Sequence, residues 1–177
     1  RGRIVVVTQP PGIKVLLDVV YNHAGYGTRY LDDPLTRGWL RSTERGGCGE
    51  DDLTQCLSGL PDLRTELPEA ARWLMDAQLG WARRSGVDGF RLDTVKHVDH
   101  PFWQEHRRRV RAELPPGFFL LGEVWGGDRE VLDPWFAGDE LDAGFDFGWE
   151  IDFWGRFRRA VEAADADLAA LRRKLQG

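Results

Sequence analysis

Four short apolar segments along the chain have the composition of buried β-strands. They lie at residues 12–23 ("GIKVLLDVVYNH"), 87–93 ("VDGFRLD"), 118–125 ("FFLLGEVW") and within 141–149 ("LDAGFDFGW"). The first and third are apolar over most of their length rather than alternating, which is typical of strands covered on both faces. The pattern therefore predicts strands in the interior of a sheet.

Segments with helical periodicity separate these strands. The first predicted helix covers residues 65–86, where Pro68 suits the first turn and Gly86 suits the end. Thr65 precedes the periodic residues, and its hydroxyl can accept a hydrogen bond from a free backbone N–H. We therefore expect Thr65 to cap this helix.

Two more helices are predicted over residues 100–117 and 150–175. Strands that alternate with helices indicate an α/β fold with a parallel sheet. Residues 24–65 interrupt the alternation with a long stretch of Gly, Asp, Arg and Thr, and loops of that length are usually functional. The first ten residues, "RGRIVVVTQP", fit either a strand or a helix–strand junction.

Composition narrows the classes of protein that this chain can be. The 177 residues are 42% hydrophobic with a formal net charge of −5, which excludes a disordered chain. The arginines at 107–109 form one local cluster, typical of a solvated helix face, so we expect no nucleic-acid partner. No apolar run reaches about 18 residues, so we expect no membrane partner. The eight tryptophans suit core packing or sugar stacking.

The two cysteines, Cys48 and Cys56, lie in a glycine-rich acidic segment, "GGCGEDDLTQC". Their spacing does not match a zinc site. Two alternatives remain open, a loop disulfide and a pair of free thiols. A disulfide would imply an oxidising compartment and a secreted protein, whereas free thiols would suit the cytoplasm.

Polar side chains stand at the ends of three of the predicted strands. The first strand ends with Asp18, Asn22 and His23, the second contains Arg91 and Asp93, and the third contains Glu123. In parallel α/β folds the carboxyl ends of the strands meet on one side, where ligands bind. We therefore expect these side chains to share one site.

Arg91 and Asp93 point to the same face of their strand, because strand side chains alternate with a period of two. A permanent cation beside a carboxylate favours its ionised form, and an ionised carboxylate can act as a nucleophile. A second carboxyl such as Glu123 would complete the pair that cleaves glycosidic bonds with retention. The alternative is a buried ion pair without chemistry.

Four motifs in order resemble the α-amylase family of glycoside hydrolases (family 13). They are "DVVYNH" (18–23), "LPDL" (60–63), "GFRLDTVKH" (89–97) and "GEVW" (122–125). The resemblance implies an α/β fold, a (β/α)8 TIM barrel of which the chain holds about strands 3–6. Residues 1–23 and 66–177 would belong to this partial catalytic barrel, and residues 24–65 would form a small domain inserted after the third strand.

The resemblance also implies a role for each matching residue. The catalytic residues would be Asp93 as nucleophile, Glu123 as general acid/base and Arg91 as support for the nucleophile. Asp18 would be structural. The residues that bind substrate would be His23, Lys96, His97 and Trp125. The partner would be an α-glucan polysaccharide or oligosaccharide.

A structural calcium ion is the cofactor that the resemblance implies. Its ligands would be the side chains of Asn22 and Asp62 and the backbone carbonyl of His97, and oxygen ligands from separate loops suit Ca²⁺. Taken by themselves, Asn22 is also an ordinary loop-capping residue and Asp62 an ordinary turn residue after Pro61.

The activity implied is retaining hydrolysis of α-1,4-glucans such as starch. A transglycosylase or α-glucosidase of the same family shares these motifs, and a non-catalytic barrel that binds sugar or a protein partner is the alternative outside enzymes. The family's third catalytic aspartate has no matching stretch between Glu123 and Gly177. We therefore expect residues 1–177 alone to release no sugar from starch, because a barrel of this type needs roughly 250 residues.

Overall fold

The computed structural model describes residues 12–126 and 129–145. Its main sheet contains four parallel strands: β1 (Leu16–Val19), β4 (Gly89–Leu92), β5 (Phe119–Glu123) and β6 (Ala143–Phe145). Their spatial order follows their order along the chain without a reversal. This arrangement is that of a barrel wall, since a doubly wound sheet reverses its order near the first strand.

The predicted alternation of side chains along the central strand is confirmed. Phe90 and Leu92 are fully buried beneath the helices, and Leu120 is equally buried on β5. Arg91 projects from the opposite face and its side chain keeps 19% of its exposure. The helix-facing side of the sheet is therefore the apolar core, and the other side carries the charged groups.

Helix α1 (Pro68–Ser85) ends at Gly86 as predicted, but it begins at Pro68 and not at Thr65. Gly86 ends it in the left-handed conformation, with φ of 68°, which glycine adopts without steric cost. Thr65 does not cap this helix, contrary to our prediction. Leu67 occupies the position before Pro68 and makes no capping hydrogen bond with its side chain. Pro68 lacks an N–H, so one fewer donor needs a partner there.

Helix α2 (His100–Glu113) ends four residues earlier than predicted, just before Leu114 and the two prolines. It begins after Asp99, whose carboxylate accepts a hydrogen bond from the Phe102 N–H at 3.1 Å. A further helix, α3 (Arg129–Ala137), was not predicted. It is short and contains Pro134, which disfavours helix interiors.

Residues 24–65 contain a separate antiparallel pair of two-residue strands, β2 (Leu40–Arg41) and β3 (Asp62–Leu63). Three short 3-10 turns complete this segment. Backbone hydrogen bonds tie it to the end of β1, since the Leu63 N–H donates to the Asn22 carbonyl at 2.7 Å. The segment therefore lies against the carboxyl end of the sheet, and its limits as a domain stay a prediction.

The assignments for residues 1–10 and for the helix at 150–175 lie outside the described residues. Within the described ranges no helix combines the length and the apolar composition that crossing a bilayer requires.

Candidate active site

One guanidinium group connects the three acidic residues at the strand ends. Nη1 of Arg91 lies 2.9 Å from Asp18 and 2.7 Å from Asp93, and Nη2 lies 3.0 Å from Glu123. The sheet register explains the arrangement, because Asp18 on β1 and Leu121 on β5 are the neighbours of Arg91. The structure thus brings together, at one guanidinium, four of the six residues that the strand pattern had grouped.

Burial differs sharply among the three acids. The Glu123 side chain keeps 2% of its exposure and that of Asp93 keeps 17%, whereas Asp18 keeps 67%. Asp18 lies on β1, the edge strand of the described sheet, so its side chain meets solvent. Glu123 is therefore the carboxyl that most depends on the protein for its interactions.

The surroundings of Glu123 favour its protonated form. Burial raises its pKa above the ordinary value, and this effect exceeds the opposing charge of Arg91 and hydrogen bonds from Trp125 and the Thr94 backbone. The negative charge of Asp93 adds to the increase. A carboxyl with a raised pKa keeps its proton to higher pH and can donate it to a leaving group.

Arg91 stays charged in this site. Burial lowers the pKa of its guanidinium, but the hydrogen bond to Asp18 and the charges of Glu123 and Asp93 outweigh that effect, so the pKa lies above its ordinary value. The cation therefore compensates the nearby carboxylates over the whole working pH range.

Two histidines flank the carboxylates. Burial lowers the pKa of His23, with Asp93 opposing this change and His97 adding to it, so the imidazole is neutral at pH 7. His97 is buried in the second half of the connection from β4 to α2. Its Nδ1 lies 2.8 Å from the Asp52 carbonyl oxygen, in the segment of residues 24–65.

A cavity of about 510 Å³ opens beside Trp125, two residues after Glu123. Lys96 lies on its wall, with Nζ 3.7 Å from the Asp52 carboxylate. The other lining side chains that could contact a sugar are Leu53, His100 and Trp135. Aromatic rings beside a few polar groups are typical of carbohydrate sites, so Lys96 and Trp125 are placed where a bound sugar could reach them.

The three oxygen groups proposed for calcium also lie together. One terminal atom of the Asn22 amide is 2.8 Å from the His97 carbonyl oxygen and 3.2 Å from Oδ1 of Asp62. If this atom is nitrogen, it donates to both oxygens. If it is oxygen, it faces two further oxygens, and oxygen ligands are the donors that a hard cation such as Ca²⁺ prefers. With the amide oxygen of Asn22 turned towards the other two groups, these residues fit a calcium site.

Arg41 already contacts the other oxygen of Asp62, with Nη1 2.5 Å from Oδ2. Burial nevertheless raises the pKa of Asp62 to about 7, in opposition to the hydrogen bond and charge of Arg41. Arg41 therefore compensates the buried carboxylate only in part. No group of three or more His, Cys, Asp or Glu side chains able to hold a metal occurs in residues 12–126 and 129–145.

Cys48 and Cys56 form a disulfide, which decides between the two alternatives that their spacing had left open. The bond closes a loop of residues 49–55 that contains Asp52. Because Asp52 contacts both His97 and Lys96, the disulfide loop forms one side of the cavity beside Trp125.

Thr94 is a site residue that the sequence analysis did not identify. Its hydroxyl lies 3.1 Å from Oδ2 of Asp93, and its backbone N–H donates to Oε2 of Glu123 at 3.3 Å. Its only sequence signal was its place directly after Asp93.

A parallel sheet with charged side chains at the carboxyl ends of its strands places the chain among α/β folds that carry their site at this edge. The sequence model of the alpha-amylase catalytic domain matches residues 49–176. The chain belongs to the alpha-amylase family of glycoside hydrolases.

Individual relatives agree with this family. The chain is 36% identical over 143 residues to a cyclomaltodextrinase from Geobacillus thermopakistaniensis (75% of this chain, 24% of the relative). It is 34% identical over 152 residues to a maltogenic alpha-amylase from Bacillus acidopullulyticus (80% and 25%). It is 32% identical over 178 residues to neopullulanase 2 from Thermoactinomyces vulgaris (91% and 29%). The chain thus spans about a quarter of the length of these relatives.

Solved structures of members of this family also match the fold of the chain. The crystal structure of an alpha-amylase from Geobacillus thermoleovorans in complex with acarbose matches with a TM-score of 0.69 at 36% identity, over 77% of this chain and 31% of that one. A cyclomaltodextrinase structure matches with a TM-score of 0.58 at 34% identity, over 76% and 24%. The prediction of a partial (β/α)8 barrel is confirmed.

Proposed function

We propose that the protein to which this chain belongs is a retaining glycoside hydrolase that cleaves α-1,4-glucans such as starch. The observation that carries the proposal is the contact of one guanidinium, that of Arg91, with both Asp93 and the buried Glu123. A single guanidinium reaches two carboxyls only when they lie within several ångströms of each other. Retention requires carboxyls about 5 Å apart.

The two carboxyls divide the reaction between them. The Asp93 carboxylate attacks the anomeric carbon while Glu123 gives its proton to the glycosidic oxygen, so the C–O bond breaks and a glycosyl–enzyme ester forms. Glu123, now ionised, then takes a proton from water, and the resulting hydroxide attacks the same carbon and releases Asp93. His23, neutral and next to Asp93, can hydrogen-bond a sugar hydroxyl, and the cavity beside Trp125 can accept the leaving glucan.

The full-length protein should be assayed against amylose, maltodextrin, cyclomaltodextrin and pullulan, with products followed by proton NMR. We expect reducing sugar whose first anomer is α, because two displacements restore the configuration. Accumulation of oligosaccharides longer than the substrate would indicate a transglycosylase, and release of glucose alone an α-glucosidase. Binding of glucan without any product would indicate the non-catalytic barrel.

We also propose a structural calcium ion held by Asn22, Asp62 and the His97 carbonyl. The support is the approach of the Asn22 amide to the His97 carbonyl oxygen at 2.8 Å and to Oδ1 of Asp62 at 3.2 Å, since the amide oxygen can face both. These groups come from the end of β1, the inserted segment and the β4–α2 connection. An ion bound there would join three separate parts of the chain and stabilise only the folded state.

Chelation should therefore lower the melting temperature of the full-length protein. At a calcium concentration of about 100 times Kd the ion contributes about 2.7 kcal/mol, which corresponds to a decrease of several °C on its removal. Differential scanning calorimetry with and without EDTA measures this decrease, and Asp62→Ala is the matched variant that should not respond. An identical melting temperature in both buffers, with no calcium by elemental analysis, would contradict the proposal.

The Cys48–Cys56 bond should stabilise the disulfide loop and the adjacent cavity. We expect the double substitution Cys48→Ser, Cys56→Ser to lower the free energy of unfolding by about 2–3 kcal/mol. KM for a glucan should increase more than kcat decreases, because the loop contacts Lys96 and His97 rather than Asp93 or Glu123. Thermal unfolding and steady-state kinetics measure the two effects.

The redox state of native protein is the control for that prediction. A disulfide in native material would support an oxidising compartment and a secreted protein. One of the relatives, in contrast, is an intracellular maltogenic amylase of Bacillus subtilis. Two thiols that react with an alkylating agent, detected by mass spectrometry in unreduced native protein, would contradict both the bond and secretion.

A further inference from the structure

Thr94, directly after Asp93, has a backbone conformation that is rare for its residue type. Its φ and ψ are 48° and 46°, in the left-handed region. Branching at Cβ makes this region unfavourable for threonine, and such conformations persist only where the surrounding contacts hold them. Thr94 is 3% exposed, so the conformation belongs to the packed interior and not to a surface turn.

The conformation lets one residue contact both carboxyls. The Thr94 hydroxyl donates to Oδ2 of Asp93 at 3.1 Å, while the Thr94 N–H points to Oε2 of Glu123 at 3.3 Å. In an extended strand the N–H of a residue lies in the plane of the sheet and its side chain points out of that plane, so a β conformation would not direct both groups of Thr94 towards the same site.

Arg91 contacts the remaining oxygen of each carboxyl. It reaches Oδ1 of Asp93 and Oε1 of Glu123, whereas Thr94 reaches Oδ2 and Oε2. Each carboxyl is therefore held at both oxygens, by the same two residues. Two contacts fix the rotation of a carboxyl group, which a single contact leaves free.

We infer that Thr94 is a positioning residue that fixes the orientation of the Asp93 and Glu123 carboxyls for the two displacements. This inference rests on the proposed function. The hydroxyl holds the nucleophile in line with the anomeric carbon, and the left-handed backbone directs the N–H to the acid. Positioning is a large part of catalysis, and a misplacement of about 1 Å can reduce the rate about 100-fold.

The test compares Thr94→Val, which removes the hydroxyl and keeps the shape, with Thr94→Ser, which keeps the hydroxyl. In the full-length protein we expect Thr94→Val to lower kcat on amylose about 10- to 100-fold with KM nearly unchanged, and Thr94→Ser to keep kcat within about threefold of the wild type. Thr94→Ala, which also removes the hydroxyl, replaces Thr94→Val if the latter folds poorly, and the same loss of kcat is expected.

Thr36→Val is the matched control. Its hydroxyl donates to the Tyr30 carbonyl at 2.9 Å and is also buried, but it lies in the inserted segment. We expect this variant to lose a similar amount of thermal stability while its kcat stays at the wild-type value. Equal kcat for wild type and Thr94→Val, or equal losses for Thr94→Ser and Thr94→Val, would overturn the positioning role.

Two further measurements separate this inference from the proposed function. An inactive wild type would contradict the proposed function, whereas an active wild type with inactive Asp93→Asn would support it whatever Thr94 does. A crystal structure of Thr94→Val tests the positioning directly, without an assay. We expect the Asp93 carboxyl to be rotated away from its wild-type orientation, and unchanged carboxyls would overturn the inference.

Discussion

Asp93→Asn in the full-length protein should lower kcat on amylose by on the order of a thousand-fold or more, because the amide cannot form the glycosyl ester. Asn has the same shape and still accepts one hydrogen bond from Arg91, which is 2.7 Å away. We therefore expect the melting temperature and the circular dichroism spectrum to change little. Reducing-sugar release and thermal unfolding, measured on the same preparation, check both expectations.

Asp76→Asn is the matched control for this substitution. Asp76 also pairs with an arginine, Arg109, at 2.6 Å, but on the outer surface of the helices. It should have the kinetics of the wild type. Glucan hydrolysis by Asp93→Asn at a rate close to that of the wild type would contradict the assignment of the nucleophile.

Glu123→Gln should lower kcat on amylose by a similar factor, because the amide has no proton to give to the glycosidic oxygen. The loss should depend on the leaving group. A glucosyl fluoride needs little protonation to leave, so its first displacement should proceed in the variant and the glycosyl ester should accumulate. Comparison of the rates on amylose and on the fluoride measures this dependence.

The pH profile gives a second measure of the same role. In the wild type kcat/KM should decrease as pH rises through the pKa of Glu123, since the proton needed for the first displacement is then lost. Burial raises that pKa, so the decrease should begin at higher pH than for an exposed glutamate. Glu123→Gln should lack this basic limb on the fluoride. The same proportional loss on both substrates would contradict the acid/base assignment.

The charged face of β4 could be predicted from the sequence, because the period of a strand depends only on its backbone. Arg91 and Asp93 are two residues apart and had to share a face, while Phe90 packs into the core. The meeting of Asp18 and Glu123 with Arg91 followed from the rule that the ends of parallel strands lie on one side. Which residues form the site could therefore be predicted from the sequence.

Other features depend on contacts that the sequence does not display. The left-handed conformation of Thr94 opposes the intrinsic preference of threonine, so no local pattern indicates it. Helix α3 has only nine residues and contains Pro134, which disfavours helix interiors, so its local sequence gives a weak helical signal. The contact between Asp52 and His97 joins residues 45 positions apart. Each of these requires the packed fold to be known.

Trapping of the glycosyl–enzyme ester tests the central claim, that Asp93 is the nucleophile of a retaining hydrolase, most directly. The full-length protein would be incubated with a 5-fluoro-α-glucosyl fluoride, which reacts rapidly in the first displacement and slowly in the second, and then digested for peptide mass spectrometry. We predict one fluoroglucosyl adduct, on the peptide that carries Asp93, and none in Asp93→Asn. An adduct on a different carboxylate, or β-anomeric product without any adduct, would contradict the account.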